Sequence, residues 1–177
     1  MSGTPDRANA PEVRIRPWEP GDLALLHRVN TPVMKNHVGG PETAERVLVR
    51  HRRYLDFVAA GTGRMFAVLL GPELRAVGTV GYAEREWRGE RGYEMGWNVL
   101  PPFQGRGVAA AAVVAAVARA RSERTHRHLL AFPSVDNPPS NAVCRKAGFS
   151  FVAACDFEFP PGRLMRSNEW RLDLTAP

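Results

Sequence analysis

The 177-residue sequence has no long apolar run and no apolar segment near its N-terminus. Its longest apolar stretch, residues 108–118, is mostly alanine and is too short to span a bilayer. The opening residues, MSGTPDRANAPE, are polar, unlike a secretory signal. Cysteine is scarce as well, since Cys144 and Cys155 are the only two, which argues against a disulfide-stabilised exported protein. We therefore expect a cytoplasmic protein without a membrane segment.

Lysine is almost absent, because Lys35 and Lys146 are the only two, so arginine carries the net charge of +6. The arginines are scattered, and their densest groups, 50–53 and 119–127, fall on predicted helices. No zinc-finger spacing and no aromatic RNA-binding strand accompanies them. The charge therefore indicates a solvated arginine-rich surface, and we expect neither a nucleic-acid partner nor a metal site.

The length suits one domain, which we expect at residues 13–177 after a flexible tail at 1–12. Apolar periodicity and Gly/Pro punctuation predict a short helix that starts at 19–22 and runs to about 29, and helices at 41–60 and at about 139–147, with a loop at 30–40. A further helix is predicted from 108, with the arginines at 119–127 near its C-terminus. Strands are predicted at 13–18, 65–70, 75–83, 92–99, 128–135, 151–159 and 167–174. This order indicates an α/β protein with a single mixed sheet flanked by helices.

The stretch FQGRGVAAAAV, residues 103–113, joins a predicted strand to a predicted helix through Gly105 and Gly107. A helix that starts after glycines points free N–H groups and a positive dipole end at an anion. Because glycine has no side chain, a phosphate approaches the main chain closely there, and Arg106 adds a charge. The simpler interpretation is a glycine turn before a buried helix.

The same stretch also fits a dinucleotide-binding fingerprint, Gly105-x-Gly107-x-x-Ala110, with Asp136 at roughly the ribose-binding distance. Three predicted strands precede the motif in hairpin order, however, and too little sequence follows it for a doubly wound sheet. Pro101 and Pro102 also lengthen the connection. We therefore keep dinucleotide binding as the second hypothesis.

Two segments together resemble the GNAT N-acetyltransferase family. The segment 104–109, QGRGVA, matches the family's pyrophosphate loop, Gln/Arg-x-x-Gly-x-Gly/Ala. The segment 137–149, NPPSNAVCRKAGF, matches its Asn-x-x-Ser/Ala…Lys-x-Gly-Phe motif. The segments VRIRPWEPGDLALL and GYEMGWNVLPPFQGRGVA resemble the subgroup that acetylates ribosomal-protein N-termini, and the resemblance spans about 13–174.

The resemblance implies a mostly antiparallel, splayed sheet and transfer of an acetyl group from acetyl-CoA to a primary amine. It implies that pantetheine lies between the strand ending at Val99 and the strand beginning at His128. The residues it assigns to the coenzyme are Trp97, Asn98, Val99, Gln104, Gly105, Arg106, Gly107, Val108, Ala109, Asn137 and Ser140.

The chemistry needs a base, because an amine attacks only when neutral, and we assign Glu94 to this role. The Val99 N–H is the candidate donor to the thioester oxygen. Many relatives carry a tyrosine acid where this sequence has Cys144. Ser140, Cys144 and water therefore remain alternatives for the proton donor, with Ser140 as the catalytic candidate.

The amine acceptor stays open between a protein N-terminus and a small molecule. The loop at 30–40 offers Asn36 and His37, and the last hairpin offers Arg163, Arg166 and Glu169. The subgroup often pairs, so a homodimer is also expected. A non-catalytic acyl-CoA-binding module is the alternative function, since it keeps the loop and needs no base.

Overall fold

The computed structural model describes residues 11–176, so residues 1–10 of the expected tail lie outside the described residues. Seven strands and five α-helices form one open sheet with helices on both faces. The strands are β1 (Val13–Pro17), β2 (Gly63–Leu70), β3 (Arg75–Trp87), β4 (Glu90–Val99), β5 (His128–Ala131), β6 (Ser150–Glu158) and β7 (Leu164–Asp173). The helices are α1 (Leu23–Val29), α2 (Pro32–Lys35), α3 (Ala44–Ala60), α4 (Val108–Glu123) and α5 (Pro138–Lys146).

The strand order is β1-β2-β3-β4-β5-β7-β6. All neighbours are antiparallel except β4 and β5, which run parallel at the centre of the sheet. The predicted mixed, mostly antiparallel sheet is therefore confirmed. No helix among the described residues is long and apolar enough to cross a membrane.

Small residues let α4 lie close against one face of the sheet. Ala112, Val113, Ala116 and Ala120 are each at most 1% exposed and pack against residues of β2, β3 and β4 in the largest core cluster. The alternating residues Tyr93, Met95 and Val99 of β4 belong to the same cluster. This packing fixes α4, and with it the glycine loop that precedes it, against the end of β4.

The opposite face of the N-terminal half is covered by α1 and α3, which bury Leu25, Leu26 and Val47 against β2. A hydrogen bond of 3.0 Å from Trp18 Nε1 to His51 Nδ1 ties the end of β1 to α3. This arrangement sets the segment between α1 and α3 beside the open middle of the sheet.

Four predicted elements are wrong in type or extent. Residues 30–40 form α2 and a 3₁₀ turn at Asn36–Val38 rather than a plain loop, and α3 begins at Ala44 behind the Thr43 cap rather than at 41. The charged stretch 84–91 belongs to a long hairpin, because β3 reaches Trp87 and only Arg88 and Gly89 form the turn. Strand β5 ends at Ala131 instead of continuing to 135.

Candidate active site

The central strands separate after a short pairing. Strands β4 and β5 pair only at Tyr93 with Leu129 and at Glu94 with Leu130. Beyond those pairs, main-chain groups of the diverging strands have no neighbour across the gap to pair with. A cavity of about 650 Å³ opens at this point and is lined by β4, the 104–110 segment, the start of α5 and the 33–38 segment.

One end of the cavity is formed by the glycine loop. Gly105 and Gly107 adopt φ values of 71° and 78°, in the left-handed region where an L side chain is strained. Gly107 is the N-cap residue of α4, so no capping side chain accepts a hydrogen bond from the first turn. The N–H groups of that turn also have no acceptor within the helix. These main-chain donors and the helix dipole give this end of the cavity a positive electrostatic potential, which favours a bound anion.

The exposed Gln104 side chain makes one specific contact with the main chain. Its Nε2 donates a 2.7 Å hydrogen bond to the Val99 carbonyl, which joins the loop to the end of β4. Gln104 and Arg106 are both exposed, but only Gln104 lines the cavity. This hydrogen bond positions the loop residue Gln104, which the sequence analysis assigned to the coenzyme, against the end of β4.

The second motif forms the start of α5 on the other side of the gap. Asn137 caps this helix by accepting a 3.3 Å hydrogen bond from the Ser140 N–H, and both residues line the cavity. The Asn137 amide nitrogen stays available to a ligand, as does the Ser140 hydroxyl, for which no bond is found among the described residues. Cys144 is fully buried in the core, does not line the cavity, and burial raises its pKa to about 12.

Asn141 is a residue to which sequence reasoning assigned no role. It is buried, and its amide nitrogen donates to the carbonyls of Ser134 and Asn137 at 2.9 and 2.8 Å. Its oxygen accepts from Asn168 Nδ2 at 2.8 Å and from Trp170 Nε1 at 2.9 Å. Asn141 thereby fixes α5 against β7, which in turn holds Asn137 at the cavity.

The two faces of β4 serve different sides of the cavity. The β3–β4 register runs without a shift, so side chains alternate without a bulge. Trp97 and Val99 pack toward α4, whereas Glu94, Gly96 and Asn98 share the opposite face. Gly96 is exposed, and a Cβ added there meets no atom within 4 Å, so the middle of this face is open.

Glu94 lies on the cavity wall with one arginine partner. Its Oε2 accepts a 2.9 Å hydrogen bond from Arg85 Nη1. The Arg85 guanidinium also stacks over the Phe157 ring at 4.3 Å. Burial raises the pKa of Glu94, and the charges of Arg85 and Arg53 only partly oppose that rise. The result is a carboxylate that binds a proton more readily than an exposed glutamate.

Lys35 was also missed by sequence reasoning, since a short loop lysine gives no periodic signal. Its ammonium lies 3.4 Å from Asn98 Oδ1 and lines the cavity. Burial and the nearby Arg50 charge lower its pKa to about 8.

The candidate acceptor residues divide into two groups. Asn36 and His37 line the cavity. The charged candidates of the last hairpin, Arg163, Arg166 and Glu169, do not line it. Glu169 is fully buried beside Arg88 and Arg171, and Arg166 pairs with Asp156. The hairpin instead contributes apolar side chains, namely Phe157, Phe159 and Met165. The described residues contain no cluster of three or more potential metal ligands.

Comparison with known proteins gives one family match. The family model described as an acetyltransferase (GNAT) domain matches residues 12–150. A comparison with curated protein sequences gives no significant match.

Solved structures share the fold at low identity. A spermidine N-acetyltransferase from Vibrio cholerae, solved with CoA and spermine, is 20% identical with a TM-score of 0.75 over 93% of this chain and 96% of its own. A Salmonella typhimurium acetyltransferase that modifies the N-terminal serine of a ribosomal protein is 17% identical, with a TM-score of 0.76 over 91% and 94%. RimJ of Mycobacterium smegmatis, solved with a CoA disulfide, is 19% identical, with a TM-score of 0.72 over 91% and 81%.

Proposed function

The chain belongs to the acetyltransferase (GNAT) family, and on that premise we propose that it transfers an acetyl group from acetyl-CoA to a primary amine. The observation that carries this proposal is the gap between β4 and β5, with a main-chain anion site at one end and Glu94 on its wall. Two of the similar structures named above contain CoA or its disulfide, which supports the choice of donor.

The coenzyme side of the gap fits a long, phosphate-bearing molecule. The loop residues Gln104, Gly105, Arg106, Gly107, Val108 and Ala109 bind the pyrophosphate through main-chain N–H groups. The positive φ values of Gly105 and Gly107 support this role, because a side chain at either position is strained. The free N-terminus of α4 supports it as well. Main-chain groups of Trp97, Asn98 and Val99 pair with pantetheine, and Asn137 and Ser140 contact it from α5.

We call the face of β4 that carries Glu94, Gly96 and Asn98 the amine side of the gap, and the base lies there. Glu94 accepts the proton that an ammonium acceptor must lose before its nitrogen attacks the acetyl carbon. The raised pKa of the half-buried carboxyl suits this task, since a base works best when its pKa lies near the working pH. Arg85 holds the carboxylate in place through the 2.9 Å hydrogen bond.

The breaking thioester needs two further contributions. The Val99 N–H donates to the carbonyl oxygen as negative charge develops there, and Gln104 holds the Val99 peptide by its carbonyl. For the proton on the leaving thiolate we assign Ser140 or water. Cys144 no longer competes, because it is buried in the core and its raised pKa disfavours exchange with the cavity.

Thiol release from acetyl-CoA tests the proposal against the two alternatives. A panel of peptide N-termini and small primary amines should include acceptors that release CoA and gain an acetyl group. A non-catalytic module would bind acetyl-CoA and release no thiol with any amine. A dinucleotide-binding protein would bind NAD instead, although the antiparallel β3–β4 hairpin differs from a parallel doubly wound sheet.

A further inference from the structure

Lys35 projects into the cavity from the amine side. It ends α2, and its ammonium contacts Asn98 on the same face of β4 as Glu94. The Asn98 amide nitrogen donates a 3.2 Å hydrogen bond to the hydroxyl of the buried Thr79. This bond turns the Asn98 oxygen toward the lysine and holds the ammonium at the cavity wall.

Lys35 lacks a carboxylate partner among residues 11–176. The nearest acidic residue that affects it, Glu42, already pairs with Arg50 at 2.5 Å, and Arg50 also contacts Tyr54. The charges that face Lys35 are therefore one arginine and one engaged glutamate, with His37 on the same segment. Buried cations are ordinarily paired, because an uncompensated charge away from water costs free energy.

The rest of the amine side is poor in negative charge. Glu94 is the only acidic residue that lines the cavity among the described residues, and Arg85 engages it. Arg53 also faces Glu94 from α3. A polyamine would therefore find no free carboxylate here, whereas an anionic group would find the unpaired Lys35 ammonium.

The spacing along β4 fits one small molecule. Glu94 and Asn98 are four residues apart on one face, which separates their Cα atoms by roughly 13 Å. Glu94, Asn98 and Lys35 all line the cavity, and Gly96 leaves the wall open between the two strand residues. An amine near Glu94 and an anionic group near Lys35 can therefore belong to the same acceptor.

We propose that the acceptor is a primary amine that also carries a carboxylate or phosphate group, and that Lys35 binds this anion. The proposal rests on the proposed acetyl transfer and adds the substrate class. It makes Lys35 a residue that determines specificity, while Glu94 handles the proton.

Binding of unreactive probes tests the anion site without turnover. The protein, both alone and with saturating CoA, is titrated with phenylpropionate, phenethyl phosphate and neutral phenylpropanamide, and binding is followed by ¹⁵N–¹H NMR. We expect an anion to bind at least about tenfold more tightly than the amide, and Lys35→Met to abolish the difference while Lys35→Arg keeps it. The tighter of the two anions identifies the group. Equal binding of all three probes, or an unchanged difference in Lys35→Met, overturns the proposal.

Turnover of matched amines gives a second readout. The ratio of kcat/KM for phenylalanine to that for phenylalaninamide, and for phosphoethanolamine to ethanolamine, is compared between wild type and Lys35→Met. The amine's own pKa cancels in this comparison, and at least one of the ratios should fall about tenfold in the variant. Ratios that stay constant, or a preference for spermidine, contradict the proposal.

Calorimetry with acetyl-CoA separates this proposal from the proposed function. If acetyl-CoA does not bind while the probe difference depends on Lys35, the acetyl-transfer proposal fails and the anion site stands. If Lys35→Met instead weakens acetyl-CoA binding and leaves the binding of the probes unchanged, Lys35 binds the coenzyme and the proposal of an acceptor anion site is wrong.

Discussion

Arg85 and Glu94 face each other across the β3–β4 hairpin, with 2.9 Å between the guanidinium Nη1 and the carboxylate Oε2. Neither side chain is freely solvated, since they are 29% and 28% exposed. The arginine lowers the pKa of Glu94, while burial raises it by more. The pair therefore sets how strongly the proposed base binds its proton.

Arg85→Met tests this relationship through the pH profile. Loss of the cation removes the contribution that lowers the pKa of Glu94, so that pKa should rise further. A base works only when deprotonated, so the acid limb of the kcat profile should move to higher pH. Arg127→Met is the control, because Arg127 pairs with Asp173 on an exposed surface. An acid limb that stays in place, or moves to lower pH, contradicts the assignment.

Gly96→Val tests the open surface of β4. Gly96 has no positive φ, and an added Cβ meets no atom within 4 Å, so stability should stay close to wild type. The branched side chain would fill the amine side and raise KM for the acceptor severalfold without changing acetyl-CoA affinity. Gly81→Ala is the contrasting variant, since its Cβ meets Arg64 backbone oxygen at 2.7 Å and should destabilise the sheet. Unchanged acceptor KM in Gly96→Val would argue that the amine enters elsewhere.

Gly107→Ala tests the coenzyme loop. Placing a Cβ at φ 78° costs about 1–2 kcal/mol of stability, and Gly61→Ala at φ 68° should cost a similar amount. Gly61 ends α3 away from the cavity. Only Gly107→Ala should weaken acetyl-CoA binding, by about tenfold in calorimetry, since it disturbs the free N–H groups. Equal affinities in the two variants would show that the loop does not hold the coenzyme.

Asn141→Leu tests the support under α5. The change removes four hydrogen bonds and leaves buried carbonyl and N–H groups without partners, which should cost about 2–4 kcal/mol in denaturant unfolding. Asn168→Ala removes one of these bonds and should cost about 1 kcal/mol. If Asn141→Leu unfolds at the wild-type midpoint, the network contributes little and Asn137 is held by other contacts.

The sheet and its main helices could be predicted because their signals are local and periodic. The family resemblance drawn from segments 104–109 and 137–149 is confirmed by the family match. Helix α2 was missed because four residues show no period, although Thr31 before Pro32 is a recognisable start. The long β3–β4 hairpin was missed because its end is charged, while Arg88 and Gly89 at positive φ form the two-residue turn.

The site was less predictable, because its chemistry depends on contacts between distant segments. The face of Glu94 follows from strand alternation, but its pairing with Arg85 depends on the hairpin register. Lys35 comes from a separate segment, and its lowered pKa comes from burial and from Arg50 on α3. The roles assigned to Glu94 and Ser140, the homodimer and the cytoplasmic location stay predictions.

Acetyl transfer with Glu94 as the general base is the central claim, and a comparison of wild type with Glu94→Gln tests it most directly. With any amine that the wild type acetylates, kcat/KM is measured by thiol release across pH, with calorimetry for acetyl-CoA. We predict a loss of about 10²–10⁴-fold near neutral pH, shrinking as pH rises because more amine is already neutral, with acetyl-CoA affinity unchanged. A near-wild-type rate for Glu94→Gln below neutral pH would contradict the account.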